Sequence, residues 1–596
     1  MRSSGCWAGR RWRREHAPSR NWRLFALTRM ATMGDEFAKG RSIMDRRSES
    51  REREVDHIQP SVGQSIATIA DIPRVHARAH PDKTALIFEE RRFSYRALDE
   101  WADRIAQGLI AAGVKRGVRV AHFGQNTAHY FALLMGVAKA GGVLVGINWR
   151  LAAGEVAYIL ADSEARVLVA DASMIDVAQE ALKEVPAASR PALLLAIEGA
   201  KRGVGTPGWN DFRRWSEAFP ARDPLVPVAP DDVIYQMYTS GTTGRPKGAE
   251  ITHHAVIAPR GRDEMIAERD PLWHVWNGEE VQLVQAPVFH LTGNVWALIG
   301  LHAGATLVVH RAFAPEAIFA DIARYGISHA IMVPAMLHAL LRHPAFDEAD
   351  LSSLRYIYYG GSPIALSLQC EAVRRFPCRF IQIYGMTEIG GSACYLPAGE
   401  HDPEGRNPAM RAAGLAYPWV EVRVIDREGC DLPAGEIGEI LLKTDTLMRG
   451  YWKRPEATAE VIRDGWFHTG DAGFIDERGF VHVEDRVDDM IISGGENVYP
   501  AEVEDALLAH PAVNEAAVIG VPSERWGEAV QAVVVLRPGM SVEEQELIEF
   551  VRRRIARYKA PHAITFAPSL PRNATGKILR RELRATYSPA GAESTR

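Results

Sequence analysis

From about residue 60 the chain alternates short apolar runs with longer amphipathic ones. VRVAHFGQ, RVLVAD, ALLLAI, QLVQAP, ATLVVH, HAIMVP and RYIYYG are rich in β-formers, and stretches with helical apolar spacing separate them. Strands that alternate with helices imply βαβ units and largely parallel sheets. Ahead of these, IADIPRVHARAH to RIAQGLIAAG reads as a helix, a short strand pair and a second helix. Beyond residue 415 the text is strand-dense, with WVEVRVIDREGCDLPAGEIGEILLKT and then GFIDERGFVHVEDR. Past residue 488 AEVEDALLAH and EEQELIEFVRRRIA read as helices, NEAAVIG and AVQAVVVL as strands. The pattern predicts an α/β protein. Residues 59–486 form a large N-terminal domain of parallel-type sheets with helices and a small β-rich subdomain. Residues 487–488 connect it to a smaller α+β C-terminal domain over 489–586, and 587–596 are a tail.

Composition changes this picture at one end only. A chain of 596 residues exceeds a single core, and 47% hydrophobic with 24% charged residues is ordinary for a globular protein. A net charge of −5 and a pI near 6.5 argue against nucleic acid or an anionic membrane as the main partner. No apolar run is long enough for a transmembrane segment. Cys6, Cys370, Cys378, Cys394 and Cys430 are scattered without a C-x-x-C, which suggests a reducing compartment, the cytoplasm, and no zinc site. Residues 1–58 differ. Arg2, Arg10, Arg11, Arg13, Arg14, Arg20, Arg23 and Arg29 face a single early acid, Glu15, and DRRSESREREVD is almost wholly charged. This reads as a disordered arm. An arginine-rich, acid-poor start is like a transit peptide, and no apolar segment supports a secretory signal. An over-extended start is the favoured explanation, since Met30, Met33 and Met44 all precede the regular text.

Five stretches carry chemistry. YTSGTTGRPKG (238–248) follows a strand-like run and precedes ITHHAVIA, which reads as a helix start. Its glycines allow close backbone approach. With the hydroxyls of Thr239, Ser240, Thr242 and Thr243, and with Lys247, they make a phosphate cradle. A flexible surface turn explains the glycines but not four hydroxyls and a lysine together. The Walker pattern is absent, because Pro246 and Gly248 flank Lys247. YGMTE (384–388) follows RFIQI and places a hydroxyl beside a carboxylate, which suits phosphate and Mg²⁺. In GWFHTGD (465–471) a terminal Asp471 is fit to take ribose hydroxyls, although an Asx-turn is the plainer use of that residue. EDRVDDMIISGGENVYPAEVE (484–504) crosses the predicted boundary, and PRNATGKILRREL (571–583) sets Lys577 in a glycine-containing turn before a basic helix.

In this order the five stretches resemble those of the adenylate-forming superfamily of acyl-CoA synthetases, luciferases and nonribosomal peptide adenylation domains. The resemblance covers roughly residues 60–585. It implies an AMP-binding enzyme that activates a carboxylic acid with ATP and Mg²⁺ as an acyl-adenylate, then transfers the acyl group to a thiol. It further implies that Thr239, Ser240, Gly241, Thr242, Thr243, Gly244 and Lys247 hold the β- and γ-phosphates. Gly360, Gly361 and Ser362 would lie along the adenine, with Tyr384 and Gly385 at its other face. Asp471 and Arg486 would bind the ribose, Thr387 the phosphate, and Glu388 the Mg²⁺. Lys577 would stand between the substrate carboxylate and the α-phosphate. Asp488 would be the hinge of a mobile C-terminal domain, and Gly494 and Gly495 would belong to a loop at the thiol tunnel. Asp485 stands where many members have glycine, which other members tolerate.

The same resemblance bears on acceptor and acid. With no carrier domain after Arg596 and no condensation module before residue 60, CoA is the expected acceptor. Ala286–Leu298, the helix after AIMVP, the YYGGSP turn and the residues beyond YGMTE are expected to form the acid pocket. His290 would be a gate beside the carboxylate. Val288, Phe289, Trp296, Met332 and Met336 promise an apolar cavity, Gly390 to Ala393 leave room, and no cation in these segments greets a second carboxylate. A medium- or long-chain fatty acid is the first expectation; an aryl, cinnamate-like or steroid side-chain acid is the alternative. Readings from other classes are a nucleic-acid binder acting through the arm and a non-catalytic nucleotide-binding regulator. The body's charge balance opposes the first, and Lys577 with Glu388 opposes the second. Oligomeric state, monomer or homodimer, is left open.

Overall fold

The structure, a computed structural model, describes residues 66–198, 208–239, 245–486, 489–493, 496–523, 526–572 and 578–587. One sheet is built on the parallel strands Arg119–Phe123, Val143–Ile147, Val167–Asp171 and Leu193–Ile197. Their near-complete burial is what parallel strands covered on both faces require. Ala128–Lys139, capped where Thr127 accepts from the Tyr130 N–H, is buried all round. At one edge the sheet turns antiparallel. Strand β1 (Val233–Thr239) pairs in parallel with Val143–Ile147 and antiparallel with β2 (Lys247–Thr252), with Thr239 opposite Lys247. The glycine- and hydroxyl-rich stretch is therefore flanked by a β-hairpin. The expected helix does begin within ITHHAVIA, but one strand later, at His253–Ile257, where Thr252 caps Ala255.

A second, larger sheet has a parallel half made of Val281–Val284, Thr306–Val309, His329–Met332, β3 (Tyr356–Gly360) and β4 (Arg379–Met386). Helix α1 (Leu291–Ala303) follows the first of these and packs almost wholly buried against them. The strand-dense text after residue 415 joins the same sheet in the antiparallel sense. It enters through β5 (Gly391–Leu396), and includes β6 (Trp466–Ile475) and β7 (Phe480–Arg486). A third sheet holds Ile491–Ser493, Glu496–Val498, Val513–Ser523, Gly527–Leu536 and Ala563–Phe566. Helices Pro500–Leu508 and Glu544–Arg552 cover it, and Val503, Leu507, Val518, Val530 and Val551 form its separate core. Arg411 pairs with Asp505 at 3.1 Å, tying this sheet's first helix to the main body.

Candidate active site

The residues expected at a nucleotide meet at the C-terminal ends of β3 and β4, where open α/β sheets bind ligands. At Gly360 a Cβ would lie 2.2 Å from the Ile383 carbonyl oxygen, so only glycine lets the paired strands close here. Gly361 takes φ +80°, and a Cβ there would meet only Val333 Cγ1 at 3.7 Å, so the turn carrying Ser362 faces open space. A register shift between Tyr384 and Gly385 re-aims β4. The Tyr384 hydroxyl then donates to Asp471 Oδ2 at 2.6 Å, across to β6. Asp471 is buried, its N–H donates to Thr469 Oγ1 at 2.9 Å, and it stands in register with Arg486 of β7.

The acidic and cationic members sit beside this corner. Thr387 is buried in the turn that ends β4, and Glu388 follows it. Glu388 Oε1 accepts from the Tyr451 hydroxyl at 2.8 Å, and its carbonyl accepts from the Met448 N–H at 2.7 Å. Lys247 Nζ lies 5.0 Å from the centre of the same Tyr451 ring. Tyr451 pairs through its backbone with Ala249 of β2, so one tyrosine fixes the distance between the hairpin's lysine and the carboxylate. Further anchors hold the hairpin. Tyr238 donates to Asp162 Oδ2 at 2.8 Å, Tyr158 donates to the Pro246 carbonyl at 2.9 Å, and Arg454 pairs with Asp162 at 2.8 Å. Tyr451, Asp162 and Tyr158 lie outside every motif; the pairing of Gly450–Tyr451 with β2 is what brings the first of them in.

His290 caps α1, its Nδ1 accepting from the Thr292 N–H at 3.2 Å. Although the residue retains partial exposure, removal from water pushes its pKa down to about 4, so the ring is neutral at pH 7. The expected acid cavity needs correction. Val288 and Trp296 belong to one core, whereas Met332 and Met336 pack with Tyr359 and Phe380 in another. The alternation of the strand Ile331–Met332 decides this, because successive side chains point to opposite faces. Trp296 is fully buried and its indole N–H donates to the Leu283 carbonyl at 2.7 Å. Around it stands a set of rings: Trp273 lies 5.1 Å from Tyr395 and 6.1 Å from Tyr358 and Tyr417. At Gly391 a Cβ would meet only Val295 Cγ1 at 3.9 Å, which leaves space there. Ser240, Gly241, Thr242, Thr243, Gly244, Asp488, Gly494, Gly495 and Lys577 lie outside the described residues, and Arg486 is placed by its backbone.

A corner at the C-terminal ends of two central strands thus gathers a tyrosine–aspartate pair, a carboxylate and a hairpin lysine. Residues 74–452 match the AMP-binding enzyme family and residues 502–577 the AMP-binding enzyme C-terminal domain. The chain is 42% identical over 523 residues to a fatty acid–[acyl-carrier-protein] ligase, ScoC, of Streptomyces coeruleorubidus, covering 88% of this chain and 97% of that one. It is 39% identical over 516 residues to a feruloyl-CoA synthase of an Amycolatopsis species, covering 86% and 98%. Among solved structures, the anthranilate CoA ligase AuaEII in complex with anthranoyl-AMP aligns with a TM-score of 0.80 at 27% identity, covering 88% and 98%. ATP-bound MatB from Rhodopseudomonas palustris aligns at 0.76 and 30% identity, covering 88% and 99%. The chain belongs to the AMP-binding enzyme family. It is an AMP-forming acid–thiol ligase of the acyl-CoA synthetase type, working on a carboxylic acid with ATP, Mg²⁺ and CoA. Among the described residues no helix is long and apolar enough to cross a membrane.

Proposed function

We propose that the corner at the ends of β3 and β4 binds ATP, and that an acid entering beside α1 is adenylated there and passed to CoA. The observation that carries this reading is the 2.6 Å bond from Tyr384 to Asp471, with Glu388, Tyr451 and Lys247 alongside. In it, Gly360, Gly361 and Ser362 run along the adenine and the Tyr384 ring covers the base. Its hydroxyl holds Asp471 ready to accept both ribose hydroxyls, with Arg486 as second ribose partner. Thr239, Ser240, Gly241, Thr242, Thr243, Gly244 and Lys247 cradle the β- and γ-phosphates, and Thr387 adds a hydroxyl. Glu388 fits a Mg²⁺ that takes few carboxylates and fills its shell with phosphate oxygens and water. Tyr451 already orients one of its oxygens, as partners of ligating carboxylates do. The ion would neutralise phosphate charge.

The chemical problem of the first step is two anions brought together, the acid's carboxylate and the α-phosphate. Positioning and fixed cations are therefore the main resource. Lys577 supplies a cation to both groups, and His290, neutral, shields the carboxylate from water. Bond formation from carboxylate oxygen to α-phosphorus expels pyrophosphate, and attack of the CoA thiol on the adenylate's carbonyl then expels AMP. Lys577 has to leave before the pantetheine arm can enter, which is the reason for a hinge at Asp488, with Gly494 and Gly495 brought to the tunnel. We assign residues 59–486 and 489–586 to the two parts that move, and place the enzyme in the cytoplasm, which the free thiols of Cys370, Cys378 and Cys394 support.

For the acid, a medium- or long-chain fatty acid is supported by the 42% identity to a fatty acid ligase. The rings of Trp273, Tyr358, Tyr395 and Tyr417 favour an aryl acid, as does the likeness to a feruloyl-CoA synthase. Pyrophosphate release against C6 to C18 fatty acids, benzoate, cinnamate and a steroid propionate, with and without CoA, tests both. CoA-stimulated release with one class, lost in Lys577→Ala, supports the ligase and names its acid; no release with any acid, together with no thermal stabilisation by ATP, refutes it.

A further inference from the structure

Beside the nucleotide corner, two buried polar groups have nothing to bond. Tyr358 on β3 is 4% exposed, and its hydroxyl has no hydrogen-bond partner. The Trp276 indole N–H acts on its oxygen as a donor, short of full hydrogen-bond geometry, and the O–H itself has no acceptor. Arg260, from the short turn Ala258–Arg262, has its Nε buried and equally unpartnered. Burial lowers the guanidinium's pKa, and the groups that oppose this are Asp263, Tyr417 and Tyr358. Asp263 thus balances the charge, yet it stands too far off for an ion pair; it accepts instead from the Trp273 indole at 3.2 Å. Native proteins rarely leave such donors unmade, because each has given up its water for nothing.

The place of this pair in the fold matters. Tyr358 precedes Gly360 by two residues on one strand, so both face the same side about 7 Å apart. Its ring lies 5.1 Å from that of Trp296, on the helix that His290 caps. Tyr358 thus stands among the rings on the α1 side of the corner, and Arg260 is near enough to feel its charge. In the segments nominated from sequence for the acid pocket, Arg342 is held by Glu371 at 2.6 Å; Arg260 is carried in from outside them.

We propose that Arg260 and Tyr358 form a specificity site for an oxygen at the distal end of the acid. The inference rests on the ligase reading above. A guanidinium has donors only, and the tyrosine hydroxyl can donate as well, so together they suit an acceptor. Because Asp263 already offsets the charge, the matching group is a neutral oxygen, a hydroxyl, ether or carbonyl, rather than a second carboxylate. The acid's body packs among the rings, and the oxygen restores the two missing hydrogen bonds. A site built this way rejects the analogue that lacks the oxygen, since its own donors are then left unpaired.

The test uses the full chain with ATP, Mg²⁺ and CoA and reads kcat/KM for matched acids: 4-hydroxycinnamate against cinnamate, and 12-hydroxydodecanoate against dodecanoate. The hydroxylated member of one pair should lead by about tenfold or more. The pair that shows this tells whether the body is a ring or a chain. Tyr358→Phe, which keeps the ring, and Arg260→Met should each bring the ratio to within about threefold of one, chiefly through loss on the hydroxylated acid. If the wild type prefers the deoxy member of both pairs, or if a preference survives both variants, the proposal is wrong and the ligase reading stands. If no acid gives CoA-dependent pyrophosphate release and ATP gives no thermal stabilisation, the ligase reading falls and this inference with it.

Discussion

The nucleotide corner and the ring-lined space beside it are neighbours on one sheet, and they treat polar groups in opposite ways. At the corner the central polar side chains have protein partners: Tyr384 bonds Asp471, Thr469 steadies the Asp471 backbone, and Tyr451 bonds Glu388. Beside it, Tyr358 and the Nε of Arg260 have none. A ligand that arrives in every turnover cycle with the same shape can be met by groups already oriented on one another, which lowers the ordering cost of binding. Groups left without partners are waiting for atoms from elsewhere.

The largest effect that bears on this comparison concerns the first step itself. If activation takes place at the partnered corner, Lys577→Ala should lower acid-dependent pyrophosphate release by about 10²- to 10³-fold, as loss of a transition-state charge partner does elsewhere. The loss should be the same for every acid accepted. A residual rate near wild type would move the chemistry away from the site described.

Next in size is the response to acid. Unpartnered polar atoms also occur far from any ligand, on His122, His253 and His329, which are 0–1% exposed. Burial lowers their pKa values to about 3, 4 and 3. An unfolded histidine titrates near 6.5. Between that value and 3–4 the unfolded chain binds more protons, so stability is fully present above pH 6.5 and is lost as pH falls. Three such groups cost roughly 4 kcal/mol per pH unit over the steep part of that window. The melting temperature should fall steeply below about pH 6, and one independent of pH between 7 and 5 would contradict the burial assigned to these rings.

Asp471→Asn gives a smaller effect and sharpens the comparison directly. It keeps an oxygen for the Tyr384 hydroxyl and removes the charge that would hold the ribose. The KM for ATP should rise about tenfold to a hundredfold, the worth of one or two charge-assisted hydrogen bonds. The ranking of acids should not change. Damage at the corner is expected to be blind to the acid, whereas damage at Arg260 or Tyr358 should be blind to ATP. A changed acid ranking in Asp471→Asn would show that the two regions are not separable.

That separation also explains what could be read from the sequence. The motif stretches, through the family they resemble, placed Gly360, Tyr384, Glu388 and Asp471 together, and backbone-level demands such as the Gly360 approach to Ile383 leave residue types behind. Tyr451, Asp162 and Tyr158 were not legible. Each acts through one side-chain contact that only sheet pairing creates, and a lone tyrosine or aspartate has many ordinary uses. Met332 and Met336 were assigned to the wrong face, since an apolar run buried on both sides carries no sign of which side is which. Arg260 was missed for a related reason: APRGR reads as solvated turn, and burial of its Nε arises only in the folded chain, where Tyr358 and Tyr417 from distant segments act on its charge.

The smallest expected effect is a control on the meaning of an unpartnered atom. His122 has both ring nitrogens unbonded, as Tyr358 has its hydroxyl, but it lies in the core of the first sheet with its ring edge-on to Tyr130 at 4.9 Å. Nothing in its surroundings is open to a ligand; Ala121, Phe123 and Tyr130 are fully buried. Replacing a polar ring that has no partners by an apolar one of similar shape is near neutral or stabilising. His122→Phe should therefore leave the pH 7 melting temperature unchanged or slightly raised, flatten part of the acid response, and leave the acid preference untouched. Tyr358→Phe is the same kind of change, a polar atom removed from a kept ring, and differs only in where the ring stands. If both variants are silent toward the acids, an unbonded polar atom in this protein marks nothing more than burial. If only Tyr358→Phe alters the preference, position beside the corner is what turns an unsatisfied donor into a binding group.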